Sequence, residues 1–329
     1  MKQTQWELGR QKLQRLRATP AVTLDGIPIE LHANIELPDD MAAVKQYGAT
    51  GVGLFRSEFL FLGRDELPSE DEQFEAYRKV AVAMEGRPVT IRTLDVGADK
   101  NLNGEPPLGT NPALGLRAIR YCLAEPQLFL TQLRALLRAS RFGKVQILIP
   151  MLSSGLEIAQ ALDMVKRAQE QLREAKIAYT ENVPIGGMIE VPAAALAISA
   201  FTKRLDFLSL GTNDLIQYTL AIDRADDSVA HLYNPLHPAI IQLVARTIKR
   251  ANRAGVPVAV CGEMAGDPAL TRLLLGLGLR QFSMHPSHLL GVKQQVLKTS
   301  IPLLATTTRK ILLSEESDRI ARLIEQLNT

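Results

Sequence analysis

Cysteine is scarce in this sequence of 329 residues, which contains only Cys122 and Cys261. The two residues lie far apart and match neither the paired spacing of a zinc site nor the disulfide framework of a secreted protein. The chain also has no apolar run that approaches the roughly 18–20 residues of a membrane helix, and its N-terminus lacks a signal-peptide core. We therefore expect a cytoplasmic protein with no membrane insertion.

Charge of one sign is also in short supply. Lysine and arginine together number 38 and aspartate and glutamate 35, which leaves a formal net charge of +3. So mild an excess argues against a nucleic-acid or membrane-surface partner, because such partners select strongly basic surfaces. Any arginine that matters to function here must matter through its position in the fold.

Histidine occurs five times, but in few useful positions. None of the five forms the His-x-x-x-His spacing of a zinc site, and none has an obvious Ser or Cys partner in the sequence. His231 and His237 flank a short loop and are expected to fix a turn. His285 and His288 come nearest to being a pair, and we expect them to have surface roles.

What the sequence does contain is a repeated alternation of short apolar segments with alanine- and leucine-rich segments. Roughly eight alternations within about 250 residues predict an α/β protein with a (β/α)8 TIM barrel. A doubly wound open sheet is the competing architecture, but no glycine-rich phosphate loop follows the first strand. The predicted strands are Leu31–Ile35, Gly51–Phe55, Val89–Leu94, Val145–Pro150, Ile185–Ile189, Phe207–Leu210, Val258–Cys261 and Gln281–Met284. The predicted helices include Met41–Tyr47, Glu70–Met84, Pro126–Ser140, Leu156–Ala175, Pro238–Ala254 and Pro268–Leu275.

The barrel is expected to follow a short N-terminal segment. Residues 1–18 are polar and basic with apolar residues at loosely helical spacing, and Thr19-Pro20 ends that pattern. We therefore predict a linker helix over residues 1–20 and a barrel domain over residues 21–329.

Three further elements are predicted around the barrel strands. Val22–Ile29, with Asp25-Gly26 at its centre, is expected to form a small hairpin. Pro192–Phe201 is rich in alanine and is expected to form the crossover helix of a βαβ unit. Ser314–Leu327 is charged on one side and apolar on the other, so it is predicted to be a helix packed on the outside of the barrel.

Two acids follow neighbouring predicted strands. Glu190 comes directly after the fifth strand, and Asp214 lies in a Gly-Thr-Asn-Asp turn after the sixth. Parallel neighbouring strands end on the same side of a sheet, so the two carboxylates should meet at one mouth of the barrel. With Asn213 and Arg224 nearby, they suit a divalent cation and an anionic ligand. The alternative is that the acids cap helices, since Asp214 could serve its own helix start.

Arginines follow three of the predicted strands at the same end. Arg56, Arg92 and Arg224 would be costly to bury without partners. Their forked donors match carboxylate and phosphate oxygens, so together they indicate a clamp for a small polyanion. The alternative is that each arginine pairs with a neighbour, as Arg56 would with Glu58 or Arg92 with Asp95.

Arg117 and Lys100 are expected to have supporting roles, Arg117 in orienting a loop and Lys100 as a charge near the arginines. Cys261 ends the seventh predicted strand at the same mouth. Buried cysteines are usually inert, but beside a dication and arginines this thiol is expected to titrate near neutrality and to serve as a proton donor or acceptor. Cys122 lies in a helical run and is expected only to pack.

With these residues placed, the chain closely resembles Enzyme I of the bacterial sugar phosphotransferase system. The resemblance rests on Gly53–Phe61 (GLFRSEFLF) and Arg92–Lys100 (RTLDVGADK) and extends from about Gln11 to the last predicted strand. Pyruvate phosphate dikinase and phosphoenolpyruvate synthase share the barrel and parts of these motifs. Gly51–Phe61 and the short run from Asp95 to Arg117 look more like Enzyme I. Further matching segments are Asn111–Arg117, Met188–Ala193, Ser209–Leu220, Asp223-Arg224 and Cys261–Asp267.

This resemblance implies Mg²⁺-dependent phosphoenolpyruvate:protein phosphotransferase chemistry, the first step of the sugar phosphotransferase system. The phosphoryl group would pass to a histidine on an N-terminal domain and then to the histidine phosphocarrier protein, and pyruvate would be released. The family's barrel domain is also its dimerisation domain, so a homodimer is expected. By motif position, the implied residues are Glu190 and Asp214 for the metal ion, Arg56, Arg92, Asn213, Asp214 and Arg224 for the substrate, and Cys261 for protonation of the enolate.

The chain departs from the family at Val191 and Ala98, neither of which would supply a ligand, and in its phosphoacceptor. It has no Thr-Ser-His context for a phosphorylatable histidine, so we expect the N-terminal phosphohistidine domain to be absent from this polypeptide. Two other functions stay open. The barrel could belong to an enzyme of the dikinase or synthase type, or it could be a non-catalytic dimer that senses phosphoenolpyruvate. A multiphosphoryl variant of the family is also compatible with the motifs.

Overall fold

A computed structural model describes residues 13–64, 66–97 and 113–329. Within them, eight strands form a closed barrel in which each strand pairs in parallel with the next in the chain. The strands are β1 (Glu30–Ile35), β2 (Val52–Arg56), β3 (Pro88–Arg92), β4 (Lys144–Ile149), β5 (Ile185–Ile189), β6 (Phe207–Leu210), β7 (Val258–Val260) and β8 (Gln281–Met284).

Pairing between the first and last strands closes the barrel. Leu31 of β1 pairs with Phe282 of β8, and Ala33 pairs with Met284. Every residue of β5 is buried, as expected for a strand covered by helices on one face and by the barrel interior on the other. The predicted (β/α)8 barrel is therefore confirmed, and the open sheet is excluded.

Helices surround the barrel. Their bounds are α1 (Met41–Tyr47), α2 (Glu70–Ala83), α3 (Ile119–Ala124), α4 (Pro126–Ala139), α5 (Gly155–Glu174), α6 (Pro192–Leu196), α7 (Ile198–Thr202), α8 (Thr212–Leu220), α9 (Pro238–Ala254), α10 (Glu263–Gly266), α11 (Pro268–Gly276), α12 (Leu289–Leu297), α13 (Ile301–Leu312) and α14 (Ser317–Asn328). Short 3-10 turns occur at Pro38–Asp40, Ser57–Leu60, Ser140–Phe142, Ala230–Leu232 and Pro286–His288.

Local sequence signals explain where several helices begin. Ser69 and Glu72 form a capping box at the start of α2, in which each side chain accepts a hydrogen bond from the other's backbone N–H. Proline occupies the first position of α4, α9 and α11, where its missing N–H has no intrahelical acceptor to satisfy. These signals fix the starts of the helices, and the predicted bounds of the long helices hold to within one residue at each end.

Two predicted elements differ in detail. The crossover between β5 and β6 is not one helix but two short ones, because Ala197 leaves the helical region with ψ of 28°. The predicted hairpin at Val22–Ile29 is reduced to one antiparallel bridge between Val22 and Pro28, with Gly26 at φ +83° in the turn.

The first and last described segments lie against the barrel. Most of the predicted linker helix falls outside the described residues, but Leu13 and Leu16 pack against the core. At the other end, α14 buries Ile320, Leu323 and Leu327 against α11 and α13, which confirms the predicted outer helix. Among the described residues, no helix combines the length and apolar character needed to span a membrane.

Candidate active site

A cavity of about 810 Å³ lies at the carboxyl ends of the strands, the end of a TIM barrel at which active sites are built. Its walls come from residues at or just after the ends of β1, β2, β3, β5, β6, β7 and β8. Lys100 lies outside the described residues. The predicted site residues that line the cavity are Arg56, Arg92, Arg117, Glu190, Asn213, Asp214, Arg224 and Cys261.

Three carboxylates converge on one side of this cavity. Asp95, Glu190 and Asp214 each present one oxygen, and the three oxygens lie within 4.8 Å of one another. The predicted meeting of Glu190 with Asp214 therefore occurs. The sequence indicates Asp95 only as a structural partner of Arg92, and the structure adds it to the acidic group.

Glu190 is fully buried with one oxygen paired and the other unpaired. Its Oε1 accepts a hydrogen bond of 2.7 Å from the backbone N–H of Met151, which has φ of +57° just beyond β4. Its Oε2 has no hydrogen-bond partner in the described part of the chain. Burial raises the pKa of Glu190 well above its usual range, and the charges of Asp95 and Asp214 raise it further.

This arrangement fits a divalent cation. A buried, unpartnered carboxylate oxygen is costly in the absence of a proton or a positive charge. Mg²⁺ prefers oxygen donors and commonly takes one or two protein carboxylates together with substrate phosphate. The three acids offer only oxygen ligands, and Glu190 Oε2 is the carboxylate oxygen among them that is buried without a hydrogen-bond partner in the residues that the structure describes.

Asp214 does not cap a helix. Helix α8 begins after Gly211 without a side-chain cap, and Asp214 lies in its first turn. Its Oδ1 instead accepts a hydrogen bond of 3.4 Å from Nη2 of Arg224. The capping alternative is thus wrong for this residue.

Arg92 is the buried member of the arginine group, with 7% of its surface exposed. Its Nη2 donates to Glu58 Oε1, and its Nη1 lies 2.9 Å from Asp95 Oδ2. Burial lowers the pKa of Arg92, but the charges of Asp95 and Glu58 outweigh burial and leave the pKa raised. Within the described residues its Nε has no acceptor, so the guanidinium retains one free donor.

Arg117 shares Asp95 with Arg92. Its Nη2 donates to Asp95 Oδ1 at 2.8 Å and its Nη1 donates to the hydroxyl of Tyr218 at 3.3 Å. Burial raises the pKa of Asp95, but Arg92 and Arg117 outweigh burial and hold it below its usual value. Asp95 therefore carries its charge in the cavity wall.

The other two arginines are more open. Arg56 has 40% of its side chain exposed, donates from Nη1 to Glu36 at 2.8 Å and from Nε to Glu58 at 3.2 Å. Arg224 is 41% exposed and contacts Asp214. The neighbour pairs expected as an alternative to a clamp are present, yet the same arginines line the cavity. Each of these arginines therefore both pairs with a neighbouring carboxylate and lines the cavity.

Asn213 ties two strand ends together. Its Oδ1 accepts a hydrogen bond of 2.9 Å from the backbone N–H of Glu263, and its Nδ2 donates to Glu263 Oε1 at 3.3 Å. These contacts hold the turn after β6 against the turn after β7. Asn213 also lines the cavity, as predicted.

Cys261 is 5% exposed and packs with Leu54, Leu148 and Met188 inside the barrel mouth. Burial raises the pKa of its thiol to about 11, although Ser209 and Arg92 act in the opposite direction. Burial therefore opposes the expectation that this thiol titrates near neutrality, which depends on a dication beside it and stays a prediction. At neutral pH the thiol keeps its proton, which is the form that a proton donor needs. Cys122 is buried in the core, as expected.

Glu58 and Asn34 also line the cavity, although neither is among the site residues predicted from the sequence. Glu58 is 4% exposed and bridges Arg56 and Arg92 through one oxygen. Asn34, at the end of β1, donates from Nδ2 to the backbone carbonyl of Cys261 at 2.9 Å. Glu58 follows β2, so the rule that located the other residues could have located it as well, whereas Asn34 lies within the last two residues of β1.

The histidines of the sequence lie mostly where they are expected. His237 caps α9 by accepting a hydrogen bond from the backbone N–H of Ala239, so it fixes a turn. His285 and His288 are exposed, but they also line the cavity wall after β8. Their ring centroids are 6.0 Å apart.

Replacing Gly262 with alanine is expected to destabilise the barrel mouth by about 1–3 kcal/mol. A Cβ at this position would lie 2.0 Å from Thr212 Oγ1 and 2.8 Å from the Thr212 backbone nitrogen. Urea unfolding measures the loss. Gly155→Ala is the control, because a Cβ there meets nothing closer than 3.7 Å. An equal stability for both variants would show that the ends of β6 and β7 separate without strain.

Comparison with known proteins gives one consistent family. The sequence profile of the PEP-binding domain of PEP-utilising enzymes matches residues 10–301. A protein of Cupriavidus necator is 59% identical over 99% of this chain, and proteins of Staphylococcus epidermidis and Bacillus subtilis are each 44% identical over 97% and 93% of it. All three are named phosphoenolpyruvate-protein phosphotransferase. The match covers 56%, 56% and 54% of these relatives, so the chain spans about half their length.

The fold also occurs among solved structures. A citrate lyase from Burkholderia xenovorans superposes with a TM-score of 0.53 over 94% of each chain, at 15% sequence identity. At that identity the likeness concerns the fold alone.

Proposed function

Because the chain belongs to the PEP-binding domain family of PEP-utilising enzymes, we propose that it binds phosphoenolpyruvate with Mg²⁺ as the donor domain of a phosphoenolpyruvate-protein phosphotransferase. The phosphoryl group would go to a histidine on a separate N-terminal domain, and pyruvate would be released. From that domain it would pass to the histidine phosphocarrier protein, as the first step of the sugar phosphotransferase system. We further propose that the chain acts as a homodimer in the cytoplasm.

The observation that carries this proposal is the pairing of opposite charges in one cavity. Asp95, Glu190 and Asp214 converge beside the buried Arg92, and Glu190 retains an oxygen without a partner in the described chain. Phosphoenolpyruvate bears a carboxylate and a phosphate, so it needs several positive charges in a pocket that excludes water. A site with acids for a cation and arginines for an anion meets both needs.

The acids and arginines divide the binding work. Glu190 and Asp214 would hold Mg²⁺ with Asp95 beside them, and the ion would neutralise part of the charge on the phosphate and carboxylate oxygens. Arg56, Arg92 and Arg224, together with Asn213, would donate hydrogen bonds to the remaining oxygens, with Arg117 and Lys100 in support. Phosphoryl transfer passes through a loose transition state, so fixed charges and positioning supply most of the catalysis.

Cys261 would complete the reaction. Loss of the phosphoryl group leaves the enolate of pyruvate, and a proton must reach its methylene carbon. The buried thiol is protonated at neutral pH and could donate that proton, which would leave a thiolate. The charge of Arg92 lowers the pKa of this thiol and would stabilise the thiolate.

The variant Cys261→Ala should still bind phosphoenolpyruvate but should lose the proton transfer that converts the enolate to pyruvate. We expect the dissociation constant to change by less than about threefold and pyruvate–phosphoenolpyruvate exchange to slow by about 100-fold or more, the range of general acid–base catalysis. Calorimetry and isotope exchange in the presence of the histidine domain measure the two effects. Cys122→Ala is the control, since Cys122 is buried away from the cavity. Unchanged exchange in Cys261→Ala would remove the thiol from the mechanism.

The proposed function is tested by mixing this chain with a separately made N-terminal histidine domain, labelled phosphoenolpyruvate, Mg²⁺ and AMP. Label on the histidine supports the phosphotransferase. Label that reaches AMP would favour an enzyme of the dikinase type. Binding without any transfer would favour a sensing module.

A further inference from the structure

The segment that carries Arg92 and Asp95 leaves the barrel at the end of β3. Beyond Arg92 the chain is no longer in a strand, although Thr93 still donates from its backbone N–H to the carbonyl of Leu148 at 2.9 Å. The side chains of Arg92 and Asp95 nevertheless have defined orientations, because Arg92 forms ion pairs with both Asp95 and Glu58. Other contacts must therefore set the course of this segment.

Gln132, on the inner face of α4, supplies such contacts. Its Oε1 accepts a hydrogen bond of 2.8 Å from the backbone N–H of Leu94. Its Nε2 donates to Ser57 Oγ at 2.9 Å and to the hydroxyl of Tyr77 at 3.1 Å. Ser57 Oγ in turn donates to the backbone carbonyl of Arg92.

The positions of these contacts in the sequence are informative. Leu94 immediately precedes Asp95, and Ser57 immediately precedes Glu58. Asp95 and Glu58 are the two carboxylates that pair with Arg92. The Gln132 amide therefore joins the backbone next to Asp95 to the side chain next to Glu58. Through Ser57 it is also connected to the backbone carbonyl of Arg92.

The network lies out of reach of solvent. Gln132, Ser57 and Tyr77 are each no more than 1% exposed. The Tyr77 hydroxyl donates to Gln73 Oε1 at 3.2 Å, and Gln73 Nε2 donates to the Pro68 carbonyl at 3.0 Å. Buried polar groups are costly without partners, so the network is held to one arrangement.

Glutamine is also the side chain that this place requires. Gln132 uses one oxygen acceptor and both N–H donors of its amide. Glutamate would lack the donors for Ser57 and Tyr77, and methionine would lack all three bonds. An apolar residue of similar volume would fill the space between α2 and α4 but would leave the Leu94 N–H without an acceptor.

We propose that Gln132 is a positioning residue that sets the geometry of Arg92 and its two carboxylate partners for ligand binding. The inference rests on the proposed function for its effect on affinity. The competing explanation is that the network only stabilises the packing of α2 and α4 on the barrel. The two explanations differ in what should happen when the network is cut at different distances from Arg92.

Gln132→Met removes the hydrogen bonds to Leu94 and Ser57, next to Arg92 and its partners. Tyr77→Phe removes hydrogen bonds that are one bond farther from Arg92. Both leave buried groups unpaired, so both should lower the free energy of unfolding. In the presence of Mg²⁺, Gln132→Met should weaken binding of phosphoenolpyruvate by about 10- to 100-fold, as loss of outer supports does at metal sites. Tyr77→Phe should change that affinity by less than about twofold. Equal affinities for wild type and Gln132→Met would overturn the inference.

A second readout does not depend on any ligand. The NMR resonance of the Arg92 side-chain Nε–H should shift in ligand-free Gln132→Met and stay in place in Tyr77→Phe. If wild type binds no phosphoenolpyruvate, the proposed function fails, while this resonance still decides the role of Gln132. If Gln132→Met does not fold, Ser57→Ala replaces it, since it removes the donor to the Arg92 carbonyl. An unmoved Arg92 resonance in Ser57→Ala would overturn the inference.

Discussion

Replacing Glu190 with glutamine is expected to abolish Mg²⁺-dependent binding of phosphoenolpyruvate without destabilising the barrel. Loss of an outer support alone costs metal sites about 10- to 100-fold in affinity, so loss of a buried ligand should cost at least about 100-fold. Without Mg²⁺, the amide introduced by Glu190→Gln would keep the acceptor for the Met151 N–H. It would also remove a charge that burial, Asp95 and Asp214 all disfavour. The free energy of unfolding in EDTA should therefore stay the same or rise by about 1 kcal/mol.

Glu157→Gln is the matched control for this variant. Glu157 also accepts a backbone hydrogen bond, from Ser153 at 2.6 Å, but it pairs with Arg120 and does not line the cavity. The Glu157→Gln variant should have a lower free energy of unfolding than wild type and the same affinity for phosphoenolpyruvate. Calorimetric titration and urea unfolding in EDTA give both quantities for both variants. The proposed metal site would be contradicted if Glu190→Gln bound phosphoenolpyruvate as wild type does.

Replacing Arg92 with methionine should damage both stability and binding. The change leaves Glu58 and Asp95 buried without their shared partner, and breaking a buried pair in this way costs about 3–5 kcal/mol. Affinity for phosphoenolpyruvate should fall at least about 30-fold, which corresponds to the lower limit of about 2 kcal/mol for loss of a buried charge partner. Urea unfolding and calorimetry measure the two losses.

Two other arginines separate these effects. Arg224→Met should change the free energy of unfolding by less than about 0.5 kcal/mol, because its pair with Asp214 is partly exposed, yet it should still weaken binding. Arg78→Met removes a surface pair with Glu75 away from the cavity and should change neither quantity. If Arg92→Met had the small stability loss of Arg224→Met, the buried role of Arg92 would be wrong.

Much of the fold could be predicted from the sequence because each barrel strand is a short apolar run with a clear boundary. The same regularity located most of the site, since Arg56, Arg92 and Glu190 lie at or directly after strand ends. Glu190 and Asp214 are predicted to meet, and they do. The break at Ala197 could not be predicted, because alanine on both sides of it favours a continuous helix.

The rest of the site depends on contacts that sequence spacing does not contain. The sequence indicates Asp95 only as a partner for Arg92, and the structure places it against both the arginine and the acids. The pKa of Cys261 depends on burial, which a residue's position in the chain does not reveal. Gln132 lies in a helix 37 residues beyond Asp95, and no motif marks it.

The most direct test of the account is diffraction from crystals of the chain grown with Mn²⁺ and phosphoenolpyruvate, with the metal located by its anomalous signal. The account predicts a peak in contact with carboxylate oxygens of Glu190 and Asp214, with Asp95 beside it and the ligand's phosphate facing Arg92. A peak elsewhere, or phosphoenolpyruvate bound without any metal at these acids, would contradict it.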